Sequence, residues 1–313
     1  MNGRAFFTAR MSFHVRRRSP APRGRTGATG TVIGWTKRVS GTGRLQAAAE
    51  VAQLDVDELM ALYDREERLQ ASESGMRREE APGVVRLVDT VGRQSAIIFA
   101  RLDEAEADGV IERETAYFDG LGHEFEWKLF AHDLPVDMHQ RLARHGFEAE
   151  EPETILILDL ADVPEGLLRP VVADVRRIGS PEGLRDVTAV REAVWPGEHL
   201  SLEEHLRHMM RTDPDSLSVY AVYESGRPVS AGRIQFPARS PFAGIWGGAT
   251  LPASRGKGHY TALLATRVQE AIARGRRFVT IDASPMSGPI VEKYGFRPVT
   301  RAQAFIHRPS ASG

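Results

Sequence analysis

A basic, glycine-rich turn follows a predicted apolar strand over residues 242–250 and precedes a predicted amphipathic helix. Gly256 and Gly258 in this turn can adopt backbone conformations that other residues avoid, so successive backbone N–H groups can converge on an anion at the positive end of the helix. Arg255 and Lys257 add positive charge. The turn therefore predicts a diphosphate site, and the alternative is an ordinary turn that only caps the helix.

Two well-known phosphate-binding loops are excluded by the residues around this turn. A Walker P-loop requires glycine five residues before Gly-Lys and Ser or Thr directly after it, whereas Leu251 and Gly258 occupy those places. A dinucleotide-binding fingerprint that begins at Gly256 requires Gly or Ala at position 261, which is Thr261. The turn is therefore neither of these motifs.

Two segments resemble the GCN5-related N-acetyltransferases, the GNAT superfamily. Residues 255–258, Arg-Gly-Lys-Gly, followed by a helix with Leu263 and Leu264, look like the acyl-CoA pyrophosphate loop of that family. The predicted strand 278–284 and the following residues 287–296, which end in Gly-Phe, resemble the family's fifth strand and fourth helix. The order and spacing of the two segments fit the family.

The resemblance covers residues from about 174 to 308 and implies both an activity and a cofactor. The implied activity is transfer of an acetyl group from acetyl-CoA, used as co-substrate, to an amine acceptor by direct attack. In the family, the strand matched by residues 242–250 splays from its neighbour and holds the pantetheine arm. Gly247 and Gly248 permit that approach or simply mark a bulge. The implied cofactor-binding residues are Gly248, Ala249, Thr250, Arg255, Gly256, Lys257, Gly258, His259 and Tyr260.

Two positions depart from the family pattern. Tyr260 stands where the family loop usually has a small residue. The helix tyrosine that often protonates the departing thiolate falls at position 291, which is Val291, and Tyr294 is predicted to be a packing residue. These departures favour a second hypothesis, a non-catalytic acyl-CoA-binding sensor or regulatory protein. The intact loop and the glycine-bearing strand favour the enzyme.

Direct attack on a thioester requires an uncharged amine and a proton for the departing thiolate. Glu198, with His199 beside it, and Asp282 are the candidates for deprotonating the acceptor, although Asp282 is equally a structural acceptor for backbone donors. Ser287 is a candidate donor to the thiolate or to CoA, but its first expected role is a helix N-cap. The predicted catalytic residues are therefore Glu198, Asp282 and Ser287, and no metal is expected.

Composition excludes several other classes of protein. The chain of 313 residues has no cysteine, which rules out disulfides, thiolate metal sites and cysteine nucleophiles. Its formal net charge of −1 argues against a generally basic nucleic-acid binder. We find no apolar run near the roughly 20 residues that span a bilayer and no signal-peptide core, so a soluble, cytoplasmic protein is expected. The predicted partner is a small-molecule or peptide amine, and the expected state is a monomer or homodimer.

An internal duplication is indicated by a repeated order of helix, Gly-Phe and strand. The order occurs at 136–158 and again at 288–306, and the first copy joins its strand to its helix through residues 130–135 without glycine. The predicted fold is α/β: two tandem GNAT-like domains, each a mixed, mostly antiparallel twisted sheet flanked by helices. The predicted domains are a degenerate GNAT-like copy over 50–165 and a catalytic GNAT domain over 170–310.

The N-terminal segment has a composition unlike the rest of the chain. Residues 1–49 contain no Asp or Glu and are rich in arginine, so this range is predicted to be a disordered basic tail. Its open interpretations are an extension without function, a transit peptide, or a nucleic-acid-binding or acidic-surface-binding arm. A nucleic-acid role would make binding depend steeply on salt.

Overall fold

The computed structural model describes residues 54–92, 94–197 and 200–309, without the side chains of Leu200 and Ser201. The predicted tail over 1–49 and the candidate base Glu198 lie outside the described residues. No helix within the described ranges is both long and apolar enough to cross a membrane.

The elements alternate between strands and helices along the chain. The helices are α1 (Val56–Tyr63), which continues as a π-helical turn over Asp64–Leu69, α2 (Ala107–Leu121), α3 (Met138–Arg144), α4 (Glu165–Leu168), α5 (Leu184–Val194), α6 (Leu200–Thr212), α7 (His259–Ala273) and α8 (Gly288–Glu292). The strands are β1 (Met76–Ala81), β2 (Val84–Asp89), β3 (Gln94–Ala100), β4 (Glu124–Phe130), β5 (Glu148–Ala149), β6 (Glu153–Asp159), β7 (Asp174–Arg177), β8 (Leu217–Glu224), β9 (Arg227–Gln235), β10 (Phe242–Thr250), β11 (Phe278–Ala283) and β12 (Arg297–His307).

Twelve strands form one sheet in the order β1-β2-β3-β4-β12-β6-β11-β10-β9-β8-β7, and β5 pairs with β12 beside this path. Most neighbouring pairs are antiparallel, and the two parallel pairs are β3 with β4 and β10 with β11. Helix α7 packs on the second half of the sheet because its apolar face, with Leu264 and Val268, is buried in the same core as Ile245 of β10 and Ile281 of β11. This architecture confirms the predicted α/β fold class.

The two halves of the chain exchange their last strands. Strand β6, the last of the first half, pairs with β11 of the second half, while β12, the last of the second half, pairs with β4 of the first. The exchanged strands β6 and β12 also pair with each other in the middle of the sheet. One continuous sheet therefore spans both predicted domains, and the division into 50–165 and 170–310 stays a prediction.

The order strand, helix, parallel strand occurs once in each half, as β3-α2-β4 and as β10-α7-β11. The first-half counterpart of the basic turn is therefore the connection over residues 101–106, and not residues 130–135 as the sequence suggested. This connection is acidic and has no glycine. Asp103 Oδ1 accepts hydrogen bonds from the backbone N–H groups of Ala105 and Glu106, both at 2.9 Å. A carboxylate of the chain thus already occupies the start of α2.

Candidate active site

Strand β10 separates from β11 midway along its length. The two strands pair in parallel only from Phe242 to Ile245 on β10, opposite Phe278 to Ile281 on β11. On its other side, the pairing of β10 with β9 is interrupted by a bulge between Trp246 and Ala249. Backbone groups between these two residues are therefore released from regular pairing at the point where the strands part. Such groups can bind a ligand that enters the opening.

The bulge contains two glycines that neighbouring side chains approach closely. Gly247 has φ +61°, and a Cβ atom there would lie 2.7 Å from Arg191 Nη1 and 2.8 Å from Arg233 Nη1. A Cβ atom at Gly248 would lie 3.1 Å from Cε2 of Tyr260. The two glycines therefore allow guanidinium groups and an aromatic ring to approach the backbone.

The guanidinium groups give the bulge a positive environment. Burial, together with the nearby charge of Arg191, lowers the pKa of Arg233 to about 9. Arg267 of α7 is 0 % exposed, and burial lowers its pKa to about 10. Its Nε donates to Leu263 O at 3.0 Å and its Nη1 to Arg233 O at 3.2 Å. Both groups remain positively charged at neutral pH, since each pKa lies above 7.

The basic turn has the backbone conformation that the sequence predicted. Gly256 has φ +74°, and Gly258 has φ +83° as the N-cap residue directly before α7. Among the residues that the structure describes, no heavy atom lies within 4 Å of a Cβ atom built on either glycine. The start of α7 is therefore open, with its first N–H groups oriented toward space that an anion can fill.

The charge of the turn is partly balanced by Glu224, at the end of β8. Lys257 Nζ lies 2.6 Å from Glu224 Oε1, and Ser254 Oγ donates to Oε2 at 3.2 Å. The hydrogen bond from Lys257 contributes most to lowering the pKa of Glu224. Arg255 is directed back along the loop, with Nε donating to Thr250 O at 3.2 Å. Both cations lie beside the open helix start.

A small cleft lies where β10 and β11 part. It brings together several residues singled out from the sequence: Gly248, Tyr260, Asp282 and Ser287. The remaining lining residues are Trp195, Ile245, Trp246, Gly247, Ile281 and Ser284. The turn residues 255–258 do not line this cleft, which fits a ligand whose anionic part and reacting end lie at separate places. No group of three or more metal-ligating side chains occurs within the described ranges.

Asp282 is held by a lysine from the other half of the chain. Lys128 of β4 donates a short hydrogen bond to Asp282 Oδ2, and the side chains are 10 % and 2 % exposed. Burial disfavours the charged form of Lys128, but Asp282, with smaller contributions from Tyr63, Glu126 and Glu153, outweighs burial and raises the lysine pKa above its ordinary value. Asp282 Oδ1 is buried and has no hydrogen-bond partner within the described part of the chain.

Sequence reasoning missed Lys128. Its signal was a lone cation in the otherwise largely apolar segment Glu124–Phe130, where a buried lysine requires a partner. The identity of that partner depends on the strand exchange, which brings β4 and β11 into one sheet.

Ser287 occupies the N-cap position of α8 but makes no capping hydrogen bond through its side chain. Instead Ser284 Oγ accepts from the backbone N–H groups of Met286 and Ser287, each at 3.3 Å. Val291 is 0 % exposed in the core, and the hydroxyl of Tyr294 lies 3.0 Å from Thr261 Oγ1. The hydroxyl groups that line the cleft are therefore those of Tyr260, Ser284 and Ser287.

Comparison with known proteins gives a family match over the region that contains this site. Residues 184–296 match the model of the acetyltransferase (GNAT) family. No curated protein matches the chain.

Solved structures share the fold over most of the chain. A GCN5-related N-acetyltransferase from Kribbella flavida is similar at 16 % identity, with 82 % of this chain and 95 % of that chain covered and a TM-score of 0.57. A tandem GNAT protein from the clavulanic acid biosynthesis pathway is similar at 11 % identity, covering 77 % and 86 % of the two chains, with a TM-score of 0.50. A GCN5-related N-acetyltransferase from Sphaerobacter thermophilus is similar at 15 % identity, covering 74 % and 82 %, with a TM-score of 0.50.

The family match and the fold agree on the second half of the chain. The matched range begins with α5 and ends after α8, so it includes the open strand β10, the basic turn and the cleft. Residues 184–296, which hold the cleft and the basic turn, therefore match the acetyltransferase (GNAT) family, and the chain shares its fold with GCN5-related N-acetyltransferases.

Proposed function

We propose that this chain is an acetyl-CoA-dependent N-acetyltransferase that transfers the acetyl group to an amine acceptor by direct attack. This proposal rests on one observation: an opened strand and an open helix start follow each other directly along the chain. Strand β10 opens away from β11 at a bulge, and the turn that follows β10 presents an open, glycine-bearing helix start with flanking cations. A thioester with a distant diphosphate matches both features.

The residues present fit such a co-substrate. Gly256 and Gly258 leave open space that a diphosphate can fill, while Arg255 and Lys257 supply charge. Gly248, Ala249 and Thr250 offer the backbone of the open strand to the pantetheine arm, and His259 and Tyr260 complete the predicted contacts. Acetyl-CoA would supply an activated acetyl thioester.

Each chemical requirement of the reaction has a candidate group in the cleft. Backbone N–H groups at the bulge can polarise a carbonyl oxygen. Asp282 Oδ1 is free to accept a hydrogen bond from the acceptor nitrogen and so orient its lone pair. Burial raises the pKa of Tyr260, so its hydroxyl stays protonated at neutral pH and can give its proton to the departing sulfur. Glu198 stays a candidate base.

Cofactor binding is tested by thermal unfolding. We expect acetyl-CoA to raise the Tm through preferential binding to the folded chain, and NADH or ATP to raise it much less. Equal shifts from all three would indicate a general anion site and overturn the assignment of acetyl-CoA. Arg255→Ala is expected to weaken binding of CoA more than binding of fragments that lack the diphosphate.

We expect Tyr260→Phe to lower kcat by at least about tenfold, since proton transfer by a positioned side chain contributes at least this much. The KM for acetyl-CoA should change little, because the ring that packs beside Gly248 is retained. Steady-state kinetics with Ser287→Ala as the comparison distinguishes the two hydroxyl groups. An unchanged kcat in Tyr260→Phe together with a reduced kcat in Ser287→Ala would transfer the donor role to Ser287.

A single CoA molecule is expected per chain. The first-half connection over 101–106 carries three carboxylates, and Asp103 already accepts the N–H groups at the start of α2. A diphosphate there would meet like charge and no free donors. Native mass spectrometry of the full chain titrated with CoA measures the stoichiometry. Two molecules per chain would contradict a degenerate first copy.

The alternative function is a non-catalytic acyl-CoA-binding sensor. It is favoured by Val291, which is buried in the core where the usual tyrosine of the family would stand. A sensor would bind acetyl-CoA without releasing free thiol in the presence of amines, so turnover separates the two functions.

A further inference from the structure

A cavity of about 720 Å³ lies beside the cleft and is built by both halves of the chain. Its wall includes the π-helical turn after α1 and the residues before β1. The wall also includes the first residues after α6 and the connection between β9 and β10. Trp246 of β10 lines both the cavity and the cleft. The volume of the cavity falls in the range of sites that bind small molecules.

Three of the cations in this wall are paired with carboxylates. Arg68 lies 2.7 Å from Asp133, and Arg78 lies 2.6 Å from Glu80. Lys128 is paired with Asp282. These positive charges are therefore compensated within the protein and give the cavity no net attraction for an anion.

Two carboxylates in the wall, Glu67 and Glu73, accept hydrogen bonds from neutral side chains, and the nearby charges of Arg276 and Arg233 also act on them. Glu67 Oε1 accepts a short hydrogen bond from the hydroxyl of Ser240. Glu73 Oε1 accepts from the Gln235 amide at 3.0 Å and lies 3.4 Å from His205 Nε2. Asp213, after α6, also lines the wall. Arg239 lines it too, and this exposed cation has no ion pair within the described ranges. The cavity is thus suited to a ligand with positive charge.

The adjoining cleft independently requires a hydrogen-bond donor. Asp282 Oδ1 is buried without a partner within the described ranges, and the side chain of Asp282 is 2 % exposed. A buried carboxylate oxygen left unpaired is costly, and an amine nitrogen would satisfy it. One ligand could satisfy both sites, with a hydrogen-bond donor at one end in the cleft and a positive charge at the other end in the cavity. The ligand would lie along Trp246, which lines both spaces.

We propose that the cavity holds the body of the acceptor, that the acceptor is an amine with a second positive charge and no carboxylate, and that Glu67 is the counter-ion of that second charge. The inference rests on the proposed function and names its substrate class. It also gives the first half of the chain a role, because Glu67 and Glu73 both belong to that half.

The charge of Glu67 depends on pH near neutrality. Burial, opposed by the hydrogen bond from Ser240, raises the pKa of Glu67 to about 7. The other charged or titratable groups that act on it are Glu66, Arg276, Asp282 and Tyr63. Aliphatic amines have a pKa of about 10 and stay charged across this range. Preference for a doubly charged acceptor is therefore expected to rise as pH rises through about 7.

Three acceptors with the same four-carbon chain test the proposal: butane-1,4-diamine, butylamine and 4-aminobutanoate. With the full chain and acetyl-CoA at pH 8, we expect kcat/KM for the diamine to exceed that for butylamine by roughly tenfold or more, and 4-aminobutanoate to be the poorest. The ratio of diamine to butylamine should fall in Glu67→Gln and, by a smaller factor, in Glu73→Gln. It should also fall in the unchanged protein between pH 8 and pH 6.

Asp57→Asn is the matched control, because it removes one negative charge from an exposed position on α1 outside the cavity. It should leave the ratio unchanged. A ratio near one in the unchanged protein, or a ratio that Glu67→Gln and Glu73→Gln both leave intact, would overturn the proposal. Calorimetric titration of the CoA-saturated protein with butane-1,4-diamine gives a second readout, and equal affinity in the unchanged protein and Glu67→Gln would overturn it too.

Failure of this inference is distinguishable from failure of the proposed function. Acetylation of butylamine with no preference for the diamine rejects the cationic acceptor site and keeps the acetyltransferase. Absence of any CoA-dependent Tm shift rejects both.

Discussion

Gly258→Glu is expected to reduce affinity for CoA by about thirtyfold or more, which corresponds to roughly 2 kcal/mol. The substitution places a carboxylate at the N-cap of α7, where the diphosphate is proposed to lie. Like charge at short range and a side chain in the open space both oppose the ligand. Folding should be affected less, because no heavy atom lies within 4 Å of the added Cβ. Isothermal titration calorimetry measures the affinity.

Gly275→Glu is the matched control for this substitution. Gly275 follows the other end of α7, has φ +70°, and also has no heavy atom within 4 Å of an added Cβ. Both variants therefore carry the same cost of a left-handed non-glycine residue, and only Gly258→Glu should lose CoA affinity. Normal CoA binding by a poorly folded Gly258→Glu would identify Gly258 as a structural turn residue, and the phosphate loop would have to be abandoned.

Asp282→Asn is expected to lower the free energy of unfolding by about 3–5 kcal/mol, the range for breaking a buried ion pair. The substitution keeps the shape of the side chain but leaves the buried ammonium group of Lys128 without its counter-ion. Urea denaturation measures the loss. The double variant Lys128→Met with Asp282→Asn should recover most of the stability, because the buried ammonium group is then removed together with the charge of Asp282.

Glu165→Gln serves as the control for charge removal, since its ion pair with Arg169 is exposed on both sides and should leave the Tm almost unchanged. If the double variant is no more stable than Asp282→Asn, the lysine is not the cause of the loss. The ion pair between Lys128 and Asp282 would then contribute less to the free energy of unfolding than its burial indicates.

The local elements of the second half followed from the sequence with small errors. The predicted strand over 242–250 is β10, and the predicted strand over 278–284 is β11, which ends one residue earlier. These segments carry clear periodicity and are bounded by proline or glycine. By contrast, Met76–Ala81 was not predicted as a strand, because its residues are mostly charged and it lies at the edge of the sheet.

The strand exchange could not be predicted from the sequence. Strands β6 and β12 both follow a helix that ends near a Gly-Phe pair, so local pattern does not decide which half each one completes. That choice depends on contacts between residues far apart in the chain. Lys128 and Glu67 were missed for the same reason, since their roles exist only once the two halves share one sheet and one cavity.

The candidate site was predicted in part. The conformation of Gly256 and Gly258 follows from the turn itself, and the grouping of Tyr260, Asp282 and Ser287 follows from the resemblance to the family. The roles of the predicted cofactor-binding and catalytic residues stay predictions. So do the cytoplasmic location and the choice between monomer and homodimer.

Simultaneous measurement of free thiol and acetylated amine tests the central claim most directly. The full chain is incubated with acetyl-CoA and a panel of small amines, aminosugars, amino acids and peptides with free N-termini, and both products are quantified over time. We predict that at least one amine raises thiol release above the amine-free rate, with one acetylated amine formed for each thiol, and that Gly258→Glu greatly slows both. Binding of acetyl-CoA without amine-dependent thiol release for any member of the panel would contradict the acetyltransferase and favour the sensor.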